Sequence, residues 1–194
     1  MEDFPATAAF PFADNAAPRA APALDFAAVY REHFAFVWRN LRRLRVAEEA
    51  LDDAAQEVFL VVHRRLSEFE GRSSLKTWLF GILLNTARHH RRARARRQDP
   101  EPLRESVPDT ERPGPLESAA RAEAVALLHR FLDDLDDDLR VPFVMTRLEQ
   151  LSAPEVALAT GVNVHTIHSR LRAAEKLFEQ AVARHHARAR WSAR

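Results

Sequence analysis

At 194 residues, with a formal net charge of +1 and no cysteine, the chain has room for one domain or two small ones, and it excludes disulfide scaffolds and thiolate metal sites. No apolar stretch approaches the length of a membrane span, so the expectation is a cytoplasmic protein without membrane insertion. The near-neutral total hides local fields: of 29 basic residues all but Lys76 and Lys176 are arginine, and they are unevenly placed.

Residues 1–23 are rich in Ala, Pro and Phe, show no helical period and lack the features of a secretory signal; they read as a disordered arm. From Leu24 to Leu44 the apolar residues Phe26, Val29, Tyr30, Phe34, Val37, Leu41 and Leu44 mark one face of a long helix. Leu51, Ala54, Ala55, Val58, Val62 and Leu66 mark a second helix, and residues 74–97 a third through Leu75, Leu79, Ile82 and Thr86. These make a first domain over 24–98. The prolines Pro100, Pro102, Pro108, Pro113 and Pro115 then interrupt a polar stretch, which reads as a linker over 99–116. Helical periodicity resumes near Glu117 and runs, with breaks near Asp136 and Gly161, to about Arg184, giving a second domain over 117–184 and a basic tail over 185–194. Scarce glycine and the lack of alternating strand patterns make the fold class all-α: two small helical domains joined by a flexible linker.

The segment LSAPEVALATGVNVHTIHSRL, residues 151–171, carries the clearest motif. Ser152 and Glu155 have the spacing of a capping box, with Pro154 in the first turn, so a helix starts at about Ala153. Gly161 supplies the positive φ of a sharp turn, and Asn163 is a good N-cap for a following helix with Val164, Ile167, Leu171, Ala174 and Phe178 on its apolar face. His168, Ser169 and Arg172 share the opposite face. This is the pattern of a helix-turn-helix, whose second helix reads base edges in the DNA major groove; an ordinary helical hairpin is the bland alternative.

The third helix ends in a dense basic run: Arg88, Arg91, Arg92, Arg94, Arg96 and Arg97, preceded by Trp78, Phe80 and Asn85. Arginines beside aromatic groups suit a nucleic-acid strand, through phosphate attraction and stacking. On the residues alone Trp78 reads better as core, the arginines better as phosphate contacts, and Asn85 equally as a partner of buried backbone or of DNA.

Asp52 to Arg92, DDAAQEVFLVVHRRLSEFEGRSSLKTWLFGILLNTARHHRR, resembles conserved region 2 of the extracytoplasmic-function sigma factors of bacterial RNA polymerase, members of the sigma-70 family, and the carboxy-terminal half is similar to their region 4. The resemblance implies a protein without enzymatic or cofactor chemistry that binds core RNA polymerase and promoter DNA, with an anti-sigma factor as a further partner it allows. It implies that Asp52, Asp53, Gln56, Glu57 and Phe59 face the polymerase, where carboxylates that would repel DNA can dock on a helix pair. It implies that the loop Phe69, Glu70, Gly71, Arg72, Ser73 and Ser74 captures a flipped base of the downstream (−10) element. Lys76, Thr77, Trp78, Asn85, His89, Arg91 and Arg92 then follow the opened strand. In region 4 it places His168, Ser169 and Arg172 at base edges of the upstream (−35) element, with Thr166 and Arg170 near phosphate; Arg170 has a structural alternative as an ion-pair partner.

Some residues depart from the family pattern. Asp136 stands where a helix-starting proline is common, and Pro142 falls inside the helix before the motif, where it predicts a late start or a kink. Thr160 replaces a larger apolar residue, and His168 a lysine or arginine. Two other function classes remain to be set against the sigma reading: a stand-alone helix-turn-helix regulator, which would bind duplex promoter without polymerase, and a metal-dependent nuclease. For the nuclease, Asp133, Asp134, Asp136, Asp137 and Asp138 supply acidity but no convergent set, and His165 with His168 lacks a third ligand; no metal or cofactor is expected.

Overall fold

The computed structural model describes residues 24–97 and 115–192, and every regular element among them is a helix. The expected arm over 1–23 and most of the expected linker lie outside the described residues.

The amino-terminal unit has three main helices: α1 (Phe26–Arg43), α2 (Leu51–Arg65) and α3 (Leu75–Arg97). Asp25 caps α1, its carboxylate accepting from the amides of Ala27 and Ala28, which would otherwise lack partners. The chain leaves α1 through Arg45 in the left-handed region at φ 64°, and a single helical turn, Glu48–Ala50, leads into α2. Val37 and Leu41 of α1, Ala54, Val58 and Val62 of α2, and Leu79, Phe80 and Leu83 of α3 are fully or almost fully buried. Each large aliphatic side chain so removed from water contributes about 1.5–3 kcal/mol. From Thr77 to Leu84 every residue of α3 is buried, so this stretch is the central rod of the unit, and its arginine-rich end projects beyond the core.

The carboxy-terminal unit comprises α4 (Pro115–Asp134), α5 (Asp137–Phe143), α6 (Ala153–Thr160) and α7 (Val164–Ser192). Pro115, expected in the linker, is instead the first residue of α4, a position where its missing N–H removes no bond. Helix α7 runs to Ser192 through the residues expected to form a tail, because alanines and arginines continue the helix past Arg184 and no glycine or proline stops it. Phe131, Phe143 and Phe178, from α4, α5 and α7, pack ring against ring at 5.0–5.6 Å.

Helix α5 starts directly after Asp136, so the late start does not occur; the effect of Pro142 appears downstream as a π-helical turn over Val144–Leu148. The Glu149 amide reaches back five residues to the Val144 carbonyl, and the Thr146 hydroxyl donates to the Pro142 carbonyl at 2.8 Å. Proline has removed one rung of the ladder and the helix widens rather than breaks.

Arg140 is fully buried in the corner between α4 and α5. Its guanidinium donates to the carbonyls of Leu132 and Leu135 at the end of α4, and to the Asp137 carboxylate at 2.8 Å. Burial pushes its pKa down to about 10, with Asp137 opposing the shift; the group remains charged at neutral pH and satisfies carbonyls that a helix end leaves open.

Candidate nucleic-acid interface

The helix-turn-helix forms as its local signals require. Ser152 and Glu155 close the capping box reciprocally: the Ser152 amide donates to Glu155 Oε2 at 2.9 Å and the Glu155 amide to Ser152 Oγ at 3.4 Å. Gly161 takes φ 70°, and Asn163 accepts from the His165 amide at 2.8 Å to start α7. Val156, Ile167, Leu171 and Ala174 are buried together, which turns Thr166, His168, Ser169 and Arg172 outward as one exposed strip on the first three turns of α7. Thr160 costs the motif little, since its hydroxyl donates to the Val156 carbonyl at 2.7 Å. Arg170 stands apart from the strip, held by Asp138 at 2.8 Å, so the ion-pair alternative is the arrangement present.

Glu155 has a lowered pKa, chiefly because the Ser152 amide and then the Ser152 hydroxyl bond its carboxylate, with Thr77 and Ser74 adding to the effect. A carboxylate held below its unfolded value stabilises the fold above that value, and the contribution is lost as pH falls through the lowered one. As pH drops through and below the ordinary glutamate range, the melting temperature is therefore expected to fall more steeply than in Glu155→Gln. Equal slopes in thermal melts of the two proteins would remove Glu155 from the acid response.

In the amino-terminal unit the loop before α3 turns on Gly71 at φ 70°, where any side chain would be strained. Glu70, Arg72 and Ser74 are exposed and Phe69 and Ser73 half-buried, with Arg72 paired to Glu70 at 2.9 Å. Phe69 lies 5.4 Å from the Trp78 ring. Two of the residues expected along the opened strand are not at the surface: Trp78 is 9% exposed, in line with its reading as core, and Thr77 is buried. His89 and Arg92 are exposed; Asn85 and Arg91 are half-buried. Arg45, Arg88, Arg91, Arg92 and Arg94 line an open cleft of about 500 Å³ that Asp137 of α5 enters. Burial lowers the Arg88 pKa, with Arg92 and Arg91 adding and Asp137 opposing.

On α2, Asp52, Asp53 and Gln56 are exposed along one face, Asp52 accepting from the Trp38 indole at 3.3 Å. Glu57 is half-buried and bonds His90 of α3 at 2.9 Å. Phe59, expected beside them, is 3% exposed and packs against the rings of Tyr30 and Phe34. The apolar groups that do reach solvent nearby are Leu60 at 48%, Tyr30 and Phe34. Helical spacing hinted at this, because Phe59 lies one position past Val58 and four past Ala55, on the core side.

The acidic run joins arginines: Asp137 bonds Arg91 and Arg140, and Asp138 bonds Arg170. Among the described residues no cluster of three or more His, Asp or Glu side chains has the disposition of a metal site, and no helix is long and apolar enough to cross a membrane.

Glu149 was not singled out in the sequence. Its side chain is 3% exposed and accepts at Oε1 from Arg43 at 2.6 Å and Asn40 at 3.0 Å, while Lys76 approaches Oε2 at 3.0 Å. Nearby, the Thr77 hydroxyl donates to Glu155 at 2.9 Å.

Comparison with known proteins bears on these surfaces together. The family described as sigma-70 region 2 matches residues 29–97, and the family described as sigma-70 region 4 matches residues 126–178. The chain is 32% identical over 152 residues to the RNA polymerase sigma-H factor of Pseudomonas aeruginosa, covering 73% of this chain and 77% of that one. It is 29% identical over 140 residues to the ECF RNA polymerase sigma-E factor of Escherichia coli K12, covering 67% and 72%. In fold it is similar to the sigma factor RpoE of Bartonella quintana, solved with the anti-sigma factor NepR, at a TM-score of 0.67 and 22% identity over 82% of this chain and 97% of that chain. Two regions matched in this order, joined by a relative similar over most of both lengths, place the chain among the extracytoplasmic-function sigma factors of bacterial RNA polymerase.

Proposed function

We propose a division of labour for the two units of this sigma factor: the amino-terminal unit docks on core polymerase through the α2 face and engages the downstream promoter element, and the carboxy-terminal unit reads the upstream element with the start of α7. The observation that carries the second half is the exposed strip Thr166, His168, Ser169 and Arg172, set opposite the buried Ile167, Leu171 and Ala174. An α-helix fits the major groove, and side chains on its outward face at the amino-terminal end meet base edges there. His168 and Arg172 are one turn apart and reach neighbouring base pairs, with Thr166 at the phosphates and Arg170 orienting the helix through Asp138.

For the downstream element the surface consists of the Gly71 loop with Phe69, Arg72, Ser73 and Ser74, then Lys76, Asn85, His89, Arg91 and Arg92. Thr77 and Trp78 support it from beneath, since both are buried. On α2 the proposed polymerase contacts are Asp52, Asp53 and Gln56, with Leu60 as the exposed apolar neighbour in place of Phe59. Nucleotidyl transfer belongs to polymerase; this chain acts in the cytoplasm and contributes promoter choice and strand stabilisation. An anti-sigma protein, as in the solved complex of similar fold, is part of the proposal.

The test is Arg172→Ala in transcription from a promoter library randomised in both elements, with purified core polymerase. A bidentate contact to guanine predicts a loss of about 1–3 kcal/mol confined to one upstream position, with the downstream preference unchanged. Uniform weakening across sequences would make Arg172 a phosphate contact, and a shift in downstream preference would mean the two units are assigned in reverse.

A further inference from the structure

We propose that the arginine-lined cleft between the exit of α1 and the basic end of α3 is a binding site for linked phosphates, the chemistry shared by nucleoside polyphosphates and inorganic polyphosphate, and that such ligands compete with promoter DNA for the same guanidinium groups. The competition, though not the site, rests on the placing of Arg91 and Arg92 along the opened strand under the proposed function.

The guanidinium groups converge from two elements. Arg88, Arg91, Arg92 and Ala95 recur at spacings of three and four, so they share one face of α3, and Ala95 leaves room there that a longer side chain would fill. Arg94 flanks them, and Arg45 lines the cleft from the turn after α1. That turn has an unusual occupant. The Val46 amide donates to the Leu41 carbonyl at 3.1 Å and the Arg45 amide to the Arg42 carbonyl at 3.0 Å, a helix ending whose left-handed residue is usually glycine. Here an arginine takes φ 64°. Glycine would suit the backbone better, so what Arg45 adds at this position is its side chain.

The enclosed space, about 500 Å³, falls within the range of small-molecule sites. Of the lining arginines Arg92 is exposed and the rest are half-buried, so like charges gather along partly dry walls, which concentrates their field in the cleft. Burial, with Arg92 and Arg91 adding, already holds the Arg88 pKa below its usual value. Among the described residues Asp137 is the one carboxylate lining the cleft, and it is shared with Arg140, which lies outside it. Glu49 reaches Arg94 at 3.7 Å, and Asp138, which also acts on Arg88, is held by Arg170. Guanidinium groups bind phosphate oxygens in pairs of parallel bonds. Along a DNA strand a sugar separates each phosphate from the next, whereas linked phosphates bring adjacent charges into one small volume and engage Arg45 and the α3 arginines together. A single phosphate satisfies fewer of them.

Isothermal titration of the full-length chain at constant ionic strength should show inorganic tripolyphosphate binding at least about tenfold more tightly than orthophosphate, as expected when further charged bonds form. A nucleoside triphosphate that matches tripolyphosphate makes the phosphates the whole ligand, and one that binds more tightly adds the nucleoside; either result sustains the site. Arg45→Gly and Arg88→Gln should each weaken tripolyphosphate binding about fivefold or more, while Arg64→Gln, exposed at the far end of α2, should leave it unchanged. Circular dichroism shows whether the helices persist; if Arg88→Gln loses them, Arg45→Gly, which relieves the backbone, carries the same test. Orthophosphate as tight as tripolyphosphate, or Arg45→Gly no weaker than Arg64→Gln, would overturn the site. Tripolyphosphate should also displace a short fluorescent DNA single strand of mixed sequence where sodium chloride of equal ionic strength does not. A strand retained by the unaltered chain but weakened by Arg92→Gln would overturn the competition. If Arg92→Gln leaves strand binding unaltered as well, it is the DNA assignment of these arginines that fails, and the phosphate site stands on its own titration.

Discussion

Replacing Arg140 with alanine is expected to lower the unfolding free energy of the carboxy-terminal unit by about 3–5 kcal/mol, the usual consequence of removing one member of a buried, bonded charge set. The side chain is fully buried and spends its donors on the carbonyls of Leu132 and Leu135 and on Asp137, so its loss opens a void and removes three bonds at once, leaving Asp137 its bond to Arg91 and the Leu132 carbonyl a long one from the Leu135 amide. Arg140→Met separates the two effects, because methionine refills much of the volume and bonds none of the acceptors. Urea unfolding of both variants should leave methionine nearly as destabilised as alanine. Recovery of full stability by methionine would show that packing, not the helix-end carbonyls, gives the residue its importance.

A comparable loss, of affinity rather than stability, is expected from Asp53→Arg combined with Gln56→Ala. Both residues are exposed on α2, Leu60 is exposed on the same helix, and Tyr30 and Phe34 are exposed where α1 packs on Phe59, so this side of the unit mixes acidic and apolar groups in the manner of a helix-docking surface. Reversing one charge and deleting one amide should weaken association with core polymerase more than about tenfold, since like charges brought together across an interface cost several kcal/mol. Helical content should stay unchanged, as exposed substitutions of this kind shift stability little. Co-purification with core polymerase at the original level would exclude this face from the contact.

The parts legible in the sequence are those whose cause is local. Ser152 with Glu155, Gly161 and Asn163 each set one end of a helix through neighbours no more than four residues away, and all of them do so. The apolar spacing of α7 likewise fixed which of its side chains face outward. Reading failed where a side chain's surroundings come from another element. Phe59 sits among acidic residues in sequence but lies under Tyr30 and Phe34 of α1. Thr77 looks like an ordinary surface position on α3, and is buried where α6 meets it. Glu149 has no motif at all: its partners are more than seventy residues away in every case, and no periodicity marks a single carboxylate for burial. Pro142 was legible as a disturbance but not as a widened turn, because the sequence does not say which neighbouring bonds will absorb the missing donor.

Helix α7 is 29 residues long, and its reading strip lies entirely in its first three turns. At 1.5 Å per residue, the stretch from Arg172 to Trp191 spans about 29 Å, more than twice the ~12 Å width of a major groove. The far end, where His185 bonds Glu123 of α4 and Trp191 stands in solvent, is therefore out of reach of the base pairs its near end addresses. A continuous rod of this length works as a lever: a tilt of a few degrees imposed at Trp191 by any neighbouring body arrives at His168 as a change of angle in the groove, with no hinge in between to absorb it.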